Sequence, residues 1–452
     1  MTAEDNNEVK LYHILTFGCQ MNERDSETMA GILQTEGYRP ADTLEDADIV
    51  LVNTCAVRES AERRIYGRIG QLKSLKYRNR DVIIGVGGCM AQQPEAAEAI
   101  RQRAPHVDVI FGTHNLHALP ALLEEAGETA DDRDIVTQVL DTPGQVVEGL
   151  PTVRKIPFKS FINITYGCNN FCTYCIVPYV RGRERSRMPA DIVAEVKRLA
   201  DDGVLDVTLL GQNVNSYGKD LDNGADFAAL LEEVVAVKGI RWVRFTTSHP
   251  KDLSDRLIAV IANSDKICNH IHLPVQAGSD HTLQRMNRRY SKEQYLELVE
   301  RIYDRIDGVS LTTDIMVGFP GETEDDFQHT LDVVRRARFD NAFTFMYSRR
   351  SGTPAADMPD QVPQDVKKGR LERLMELQHA LSYEKNQLLA GKTMEVLVEG
   401  HAKKDPGRLL GRTETNKNVL FQGPEGLIGD FAVVKIEEAK TWTLEGRLFL
   451  EE

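Results

Sequence analysis

Short apolar runs alternate with amphipathic stretches between Val9 and about Leu123. Three of the runs predict buried strands, at residues 13–15, 49–52 and 82–86. A regular alternation of strand and helix is typical of βαβ units, whose strands lie parallel. The pattern therefore predicts an α/β fold that begins with a parallel-sheet (Rossmann-like) domain over residues 9–126.

A second series of the same kind follows and predicts a second α/β domain over residues 154–386. Six strand-like runs are separated by helical segments that include residues 191–200, 227–237, 253–262 and 293–302. Six strand–helix repeats predict a partial (βα)6 barrel, with its site at the C-terminal strand ends. The fourth run reads through Pro274 into Val275 and Gln276, and a proline there predicts an edge, a bulge or the end of that strand. The six predicted strands are 161–164, 207–210, 243–246, 270–273, 313–317 and 342–346.

The remaining segments predict connections and a third domain. Residues 124 to about 153 are polar, acidic and interrupted by Pro and Gly, which predicts a linker. Residues 365–390 predict a long charged amphipathic helix that packs on the barrel or bridges to the next module. From about Thr393 the apolar period becomes two, which predicts a small C-terminal β-barrel of the oligonucleotide-binding type over residues 389–452. Its predicted strands are 395–399, 419–421, 431–435 and 447–449.

Composition places the chain among ordinary globular proteins. It has 452 residues, of which 41% are hydrophobic and 27% charged, enough for about three domains. The acidic start and the lack of a long apolar run predict a cytoplasmic protein without a membrane span. Seven cysteines in such a chain favour metal or redox chemistry over a disulfide framework. No coiled-coil seam appears, so we expect a monomer.

The net charge of −14 does not exclude a nucleic-acid partner, because binding depends on where positive charge is clustered. Between Arg154 and Arg187 seven Lys or Arg residues face one acid, Glu184. Four arginines of this block are candidates for phosphate contact; the alternative for each is an ion pair inside the fold. They are Arg181, Arg183, Arg185 and Arg187. A second basic group is Lys403, Lys404, Arg408, Arg412 and Lys417.

Three cysteines after the first barrel strand, Cys168, Cys172 and Cys175, are close enough in sequence to bind one metal cluster. A cubane iron–sulfur cluster normally takes four cysteines, so three leave one iron open for a ligand that is not protein. An open position is what separates catalytic metal sites from closed structural ones. The alternative is a structural zinc knuckle, which needs a fourth ligand nearby. The next histidine after this loop is His249.

Three further cysteines, Cys19, Cys55 and Cys89, each follow a predicted strand of the N-terminal sheet. The carboxyl ends of parallel strands form one crevice, so these side chains can converge there. The alternative is that they are small buried residues, a common fate of free cysteine. Their shared position favours a second three-cysteine cluster. Cys268 belongs to neither triplet and is predicted to be a buried apolar residue; His270 and His272 beside it leave a ligand role open.

The loop around Cys168, Cys172 and Cys175, with the aromatic Tyr174 before the third cysteine, resembles the radical S-adenosylmethionine superfamily. The resemblance implies that the open iron chelates the amino and carboxylate groups of S-adenosyl-L-methionine. The reduced cluster would then cleave this cofactor to a 5′-deoxyadenosyl radical.

With the upstream cysteines included, the resemblance narrows to the methylthiotransferases and covers nearly the whole chain. It implies an N-terminal cluster domain, a radical core and a C-terminal module that resembles the TRAM RNA-binding domain. It also implies that Tyr174, Gln212 and Asn213 contribute to the cofactor site. Runs that match the family are residues 211–218, 247–250, 272–276, 318–323 and 352–355.

Two stretches, 53–59 and 166–182, resemble the branch of the family that acts on N6-dimethylallyladenosine in tRNA. The branches that act on threonylcarbamoyl-adenosine tRNA or on a ribosomal protein match less well. Ala277 departs from the pattern, which has Ser there; this bears on packing more than on substrate.

The resemblance implies methylthiolation of adenine C2 at position 37, in the anticodon loop of tRNA. It implies two [4Fe-4S] clusters and two molecules of S-adenosyl-L-methionine, one the methyl donor and one the radical source. Sulfur would come from the auxiliary cluster on Cys19, Cys55 and Cys89, and electrons from a flavodoxin- or ferredoxin-like donor. The target base would have to leave its stack. The alternative from another class is a non-catalytic iron–sulfur protein or electron carrier with an RNA-binding module.

Overall fold

The computed structural model describes residues 9–56, 59–128, 135–140, 144 and 146–449, with the side chains of 59–63 excepted. Val57 and Arg58 of the 53–59 motif, and part of the predicted linker, lie outside these residues. The chain forms two compact units. The first contains residues 1–156, 161–169 and 175–187, and the second contains 157–160, 170–174 and 188–452.

The first unit is built on a parallel six-stranded sheet in the order β2-β1-β3-β4-β5-β6, which confirms the predicted Rossmann-like sheet. The sixth strand lies inside the predicted linker. Only Val136 of its three residues is apolar, so the sequence carries too weak a signal for this strand. The strands are β1 Leu11–Thr16, β2 Arg39–Pro40, β3 Ile49–Thr54, β4 Ile83–Gly88, β5 Val109–Phe111 and β6 Val136–Gln138. The helices are α1 Gln20–Thr35, α2 Glu59–Arg78, α3 Pro94–Arg103 and α4 Leu119–Glu128.

Strand β3 shows why the sheet is covered on both faces. Val50 and Val52 pack into one apolar cluster, together with residues of α2 and α3. Ile49 and Leu51 pack into the other, with residues of α1 and α4. A strand buried on both faces is continuously apolar, as parallel strands usually are. This run therefore fixes the centre of the sheet.

Four short elements of the chain around the 168–175 loop link the sheet domain to the barrel repeats in sequence. Strand β7, Lys159–Asn163, corresponds to the first predicted barrel strand. A short hairpin pairs Thr165 with Ser186 and Tyr166 with Arg185. The other elements are β8 Thr165–Tyr166, α5 Val177–Val180 and β9 Arg185–Ser186.

The second unit continues the barrel repeats. Parallel β10 and β11 pair with each other, and so do β12, β13 and β14. A parallel bridge from Val243 to Ile267 connects the two sets, which agrees with a partial barrel. The fourth strand ends two residues before Pro274, so of the three predicted outcomes the end of the strand is the one observed. The strands are β10 Asp206–Leu210, β11 Trp242–Phe245, β12 His270–His272, β13 Ser310–Val317 and β14 Asn341–Met346. The helices are α6 Pro189–Asp201, α7 Phe227–Val235, α8 Asp255–Ala262, α9 Asp280–Arg285, α10 Lys292–Arg305 and α11 Glu324–Ala337.

The C-terminal part is a long helix followed by a closed barrel in the order β15-β16-β17-β19-β18, which confirms the predicted small β-barrel. Strand β16 was not predicted, because its Gly and Pro residues suggest turns. Arg408 and Arg412 therefore lie on a strand and not in a turn. The elements are α12 Gln364–Gln387, β15 Thr393–Ala402, β16 Asp405–Thr413, β17 Asn418–Gln422, β18 Phe431–Ala439 and β19 Leu444–Leu448. Within the described ranges, every helix is too short or too polar to cross a bilayer.

The C-terminal barrel packs directly on the core strands of the second unit. The ring of Trp242 on β11 meets Phe431 edge to face, with 4.7 Å between the ring centroids. Arg244 donates to the carbonyl oxygens of Thr413 and Glu414, each at 3.0 Å. These contacts combine apolar burial with satisfied backbone carbonyls, so the barrel is held on the core by more than the α12 connection.

Candidate active site

The three upstream cysteines follow neighbouring strands of the first sheet. Cys19 caps the start of α1 after β1, Cys55 follows β3, and Cys89 follows β4. The backbone N–H of Cys89 donates to the Thr54 carbonyl at 2.9 Å. A Cβ built on Gly18 would lie 3.1 Å from the Cβ of Cys55. The parallel register therefore gathers the three cysteines at one edge of the sheet, as the sequence predicted.

Asn22, in the first turn of α1, organises this edge. Its Nδ2 donates to the carbonyl oxygens of Phe17 and Thr54, at 3.0 and 2.8 Å. This fixes Oδ1 toward the sulfur atoms of Cys19 and Cys89, each 3.8 Å away. Asn22 is fully buried, so its amide orientation is set by these partners and not by solvent.

Arg181, six residues after Cys175, reaches the same edge. Its Nε donates to the sulfur of Cys89 at 3.2 Å, and its Nη2 donates to Asn22 at 3.0 Å and Asp25 at 2.7 Å. Burial raises the pKa of the Cys89 thiol to about 12; Arg181 acts against this, while the nearby thiols of Cys19 and Cys55 add to it. Cys55 and Cys89 are buried, whereas Cys19 is exposed. Three thiolates placed together repel one another, and bound cationic iron would stabilise them.

The segment after the second triplet packs against the first one within the same unit. Ile176 and Val180 form an apolar cluster with Ala56 and Cys89. The hydroxyl of Thr113 donates to the Val180 carbonyl at 2.7 Å. These contacts fix helix α5 on the sheet edge that carries the upstream cysteines.

The 168–175 loop depends on a tight backbone approach at its start. Gly167 has a φ of +73°, and a Cβ there would lie 2.2 Å from the Arg183 carbonyl oxygen. The N–H of Cys168 donates to the Gly182 carbonyl at 3.1 Å. Only glycine fits this position, because any side chain would collide with backbone.

Within the second unit, the middle of the loop is held by residues that follow α9. Asn287 donates to the carbonyl oxygens of Asn170 and Phe171, at 3.2 and 3.0 Å. The buried Arg288 donates to the sulfur of Cys172 at 3.5 Å. Tyr174 packs on an apolar cluster that includes Met286. Both triplets therefore have one cysteine sulfur that accepts from a buried arginine.

A group of buried polar atoms near the C-terminal ends of β10 and β11 has no hydrogen-bond partner among the described residues. The predicted cofactor residue Asn213 donates from Nδ2 to Asp252 at 2.7 Å, which leaves its Oδ1 as a buried acceptor. Gln212 beside it is half-buried. Buried groups of this kind call for a partner, so these atoms suit a polar ligand. The unpartnered atoms are Asn213 Oδ1, Asn215 Oδ1 and Nδ2, Ser248 Oγ and His249 Nε2.

His249 is a neutral imidazole. Burial, with positive charge from Arg288 and Lys251, lowers its pKa to about 2. Its Nδ1 accepts from the N–H of Lys251 at 3.3 Å, which places the ring proton on Nε2. The unpartnered Nε2 is therefore a hydrogen-bond donor at working pH.

The described residues contain no group of three His, Cys, Asp or Glu side chains that would hold a single metal ion. A cubane places different demands, because each cysteine binds a separate iron and the sulfur atoms stand apart. The buried Cys268 packs with Trp242 and Leu397, and burial raises the pKa of its thiol. This agrees with the prediction of a buried apolar residue.

The four arginines predicted for phosphate contact have different environments. Arg181 is buried at the cysteines, and Arg187 is buried in a bidentate pair with Glu148, with N–O distances of 2.7 and 2.6 Å. Phosphate contact is therefore wrong for these two, because their charge is already paired. Arg185 is half-buried and donates to the Gly144 carbonyl at 2.6 Å. Arg183 is exposed.

The second basic group is also largely paired. Arg408 binds Asp405 and Glu445, Arg412 binds Glu399, and Lys417 binds Asp340. In this group Lys403 and Lys404 are exposed.

Comparison with known proteins adds a family to this geometry. Residues 11–112 match Uncharacterized protein family UPF0004, 162–334 the Radical SAM superfamily, and 387–449 the TRAM domain. The tRNA-2-methylthio-N(6)-dimethylallyladenosine synthase of Thermoanaerobacter pseudethanolicus is 55% identical over 99% of this chain and 94% of its own length. The synthase of Moorella thermoacetica is also 55% identical, over 97% of this chain and 98% of its own.

The chain belongs to the tRNA-2-methylthio-N(6)-dimethylallyladenosine synthase family. Membership confirms the predicted radical S-adenosylmethionine methylthiotransferase, and with it an enzyme whose class uses a [4Fe-4S] cluster and S-adenosylmethionine. It excludes the zinc-knuckle and non-catalytic alternatives.

A solved structure supports the fold of this synthase-family chain. The radical S-adenosylmethionine methyltransferase TsrM of Kitasatospora setae aligns with a TM-score of 0.54, over 77% of each chain. At 16% identity this likeness concerns the fold alone.

Sequence reasoning missed Asn22, Asp25 and Arg288 at the cysteine sites. A signal for the first two was present, because α1 carries polar residues on the face that an amphipathic helix normally makes apolar. No comparable signal marks Arg288.

Proposed function

We propose that this protein transfers a methylthio group to C2 of N6-dimethylallyladenosine at position 37 of tRNA. Two molecules of S-adenosyl-L-methionine take part, one as methyl donor and one as radical source, and an auxiliary [4Fe-4S] cluster provides the sulfur. The observation that carries the proposal is the gathering of three cysteines at one sheet edge. Cys19 and Cys89 lie at Asn22, Arg181 donates to Cys89, and Cys55 lies beside Gly18.

In this proposal Cys168, Cys172 and Cys175 hold the first cluster, which when bound supplies the electron that cleaves S-adenosylmethionine. Tyr174 and Gln212 contribute to the cofactor site. The buried acceptor on Asn213 suits the amino group of the methionine moiety, because Asp252 already takes its Nδ2. His249 offers a neutral donor. Together these groups would orient the cofactor without a proton being moved.

Arg183 is the arginine of the basic block that we propose for contact with the anticodon loop, because it is exposed. Single-stranded loops are the part of RNA that proteins read, and the target base must leave its stack to react. The exposed Lys403 and Lys404 of the C-terminal barrel would add phosphate contacts. We further propose a monomeric, cytoplasmic enzyme that is reduced by a flavodoxin- or ferredoxin-like donor.

Anaerobic reconstitution with iron counting tests the two-cluster site. We expect about eight irons per chain, since each cubane holds four. Cys89→Ala should lower this to about four and keep S-adenosylmethionine cleavage, whereas Cys172→Ala should abolish cleavage. The matched control is Cys268→Ala, which should keep both clusters. About four irons in the unaltered protein would contradict the auxiliary cluster.

Nucleoside analysis of tRNA tests the substrate. A strain that lacks the gene should lose 2-methylthio groups from dimethylallyladenosine, and the plasmid-borne gene should restore them. Unchanged 2-methylthio content on that nucleoside, with a loss on threonylcarbamoyl-adenosine, would assign the protein to the other tRNA branch.

A further inference from the structure

Arg181 belongs by sequence to the radical-core motif but lies by position at the auxiliary cysteines. It follows Cys175 by six residues, and its Nε is 3.2 Å from the sulfur of Cys89. The side chain is 6% exposed. A charged side chain buried to this extent costs free energy unless every donor and the charge itself are matched. The hydrogen-bond and ion-pair partners of Arg181 must therefore offset the cost of burying its charge.

The partners use the planar shape of the guanidinium. Nε contacts one thiol, while Nη2 donates both to Asn22 Oδ1 and to Asp25 Oδ2. A lysine ammonium on a flexible stem cannot hold these three acceptors in one plane. The ion pair with Asp25 fixes the position of the guanidinium. Asn22, whose amide is held by the carbonyl oxygens of Phe17 and Thr54, fixes the orientation of the guanidinium plane. The hydrogen bond to Cys89 is thus set by a rigid network.

The backbone before Arg181 is equally fixed. Ile176 and Val180 pack on Cys89 and Ala56, and Thr113 binds the Val180 carbonyl. The guanidinium is therefore held both by its acceptors and by the packing of the backbone that carries it.

We propose that Arg181 is a positioning residue of the auxiliary cluster that orients Cys89 and raises the cluster's reduction potential. This inference rests on the proposed function, because it requires that Cys19, Cys55 and Cys89 hold a cluster. A hydrogen bond to a ligand sulfur stabilises the reduced form, which carries one more negative charge. The hydrogen bond carries this effect, because Asp25 pairs the charge of Arg181. The radical-core motif thereby contributes a residue to the second site as well as three ligands to the first.

The test uses the full-length chain with Cys168, Cys172 and Cys175 all changed to Ala, so that only the auxiliary cluster can load. Iron content and the midpoint potential from an electron paramagnetic resonance titration are compared with and without Arg181→Gln/Asp25→Asn. The double change removes both charges of the buried pair and so avoids an unpaired carboxylate. We expect about four irons in both proteins, and a more negative midpoint potential in the doubly changed one.

Arg183→Gln in the same background is the matched control and should leave the potential unchanged. An unshifted potential in the Arg181→Gln/Asp25→Asn protein would overturn the inference and leave the proposed function intact. Failure of the background protein itself to load iron would overturn the auxiliary cluster, and the inference with it. In the otherwise unaltered enzyme, the double change should lower methylthiolated product at least tenfold more than S-adenosylmethionine cleavage.

Discussion

Asp340 is the residue on which attachment of the C-terminal barrel to the core depends most. Its buried carboxylate accepts from Lys385 of α12 at 2.5 Å, from Lys417 of the barrel at 2.8 Å, and from the Leu311 N–H at 3.1 Å. Burial acts to raise its pKa, but the two lysines outweigh burial and hold that pKa below its ordinary value. One side chain thus joins strand β13, helix α12 and the barrel.

We expect Asp340→Asn to destabilise the second unit by about 3 kcal/mol. Removal of one partner of a buried ion pair costs about 3–5 kcal/mol, because the remaining charge stays buried and unpaired. The lower value of this cost applies to Asp340, because the side chains of Lys385 and Lys417 are 18% and 15% exposed and remain partly hydrated. About 3 kcal/mol corresponds to roughly a hundredfold increase in the unfolded or detached population.

The assay is guanidinium denaturation followed by tryptophan fluorescence. The chain has two tryptophans, and both lie where the barrel meets the core. Trp242 contacts Phe431, and Trp442 contacts His379 of α12 with 4.8 Å between ring centroids. Their emission therefore reports on detachment of the barrel. Asp340→Asn should move this transition to lower denaturant concentration.

Asp332→Asn is the matched control, because Asp332 pairs with Lys292 at 2.7 Å but is 42% exposed. Exposed pairs contribute about 0–1 kcal/mol. The loss of stability caused by Asp340→Asn should become smaller as the pH falls below about 4, the ordinary pKa of an aspartate in an unfolded chain. The pKa of Asp340 in the folded protein is lower than that value, so its charge stabilises the fold fully above the unfolded pKa. This stabilisation is lost as the pH falls through the folded pKa. Equal effects of the two substitutions at neutral pH would refute the reasoning.

Three further predictions concern the sites. Gly167→Ala should place a methyl group against the Arg183 carbonyl and lower iron content by about four per chain; a full iron complement would contradict the packing. His249→Phe should weaken S-adenosylmethionine binding about tenfold by loss of one donor. The ratio of the two affinities, measured by equilibrium dialysis, should be the same at about pH 6 and about pH 9, since this imidazole stays neutral; a ratio that changes with pH would contradict the neutral donor. Arg183→Glu should lower tRNA affinity and the dependence of that affinity on salt concentration, whereas Arg187→Gln should leave the salt dependence unchanged. If tRNA affinity depends on salt equally in the two variants, Arg183 does not contact the RNA.

The sequence by itself determined the features that repeat at fixed intervals. Val50 and Val52, and their counterparts in β1 and β4, specify parallel strands because apolar runs between helical segments have few other solutions. Once the strands are parallel, Cys19, Cys55 and Cys89 must emerge at one edge. The spacing of Cys168, Cys172 and Cys175 along the chain predicts a cluster site without any knowledge of the tertiary structure.

Only the tertiary structure decided which charged side chains act where. Arg181, Arg183 and Arg187 are equivalent in sequence, yet one meets a thiol, one faces solvent and one pairs with Glu148. Strand β6 was hidden for a related reason, because its short run is stabilised by pairing with β5 and not by its own propensity. The charged side chains and the edge strand β6 are paired with residues that are distant along the chain. The sequence around each of them therefore does not predict its partner.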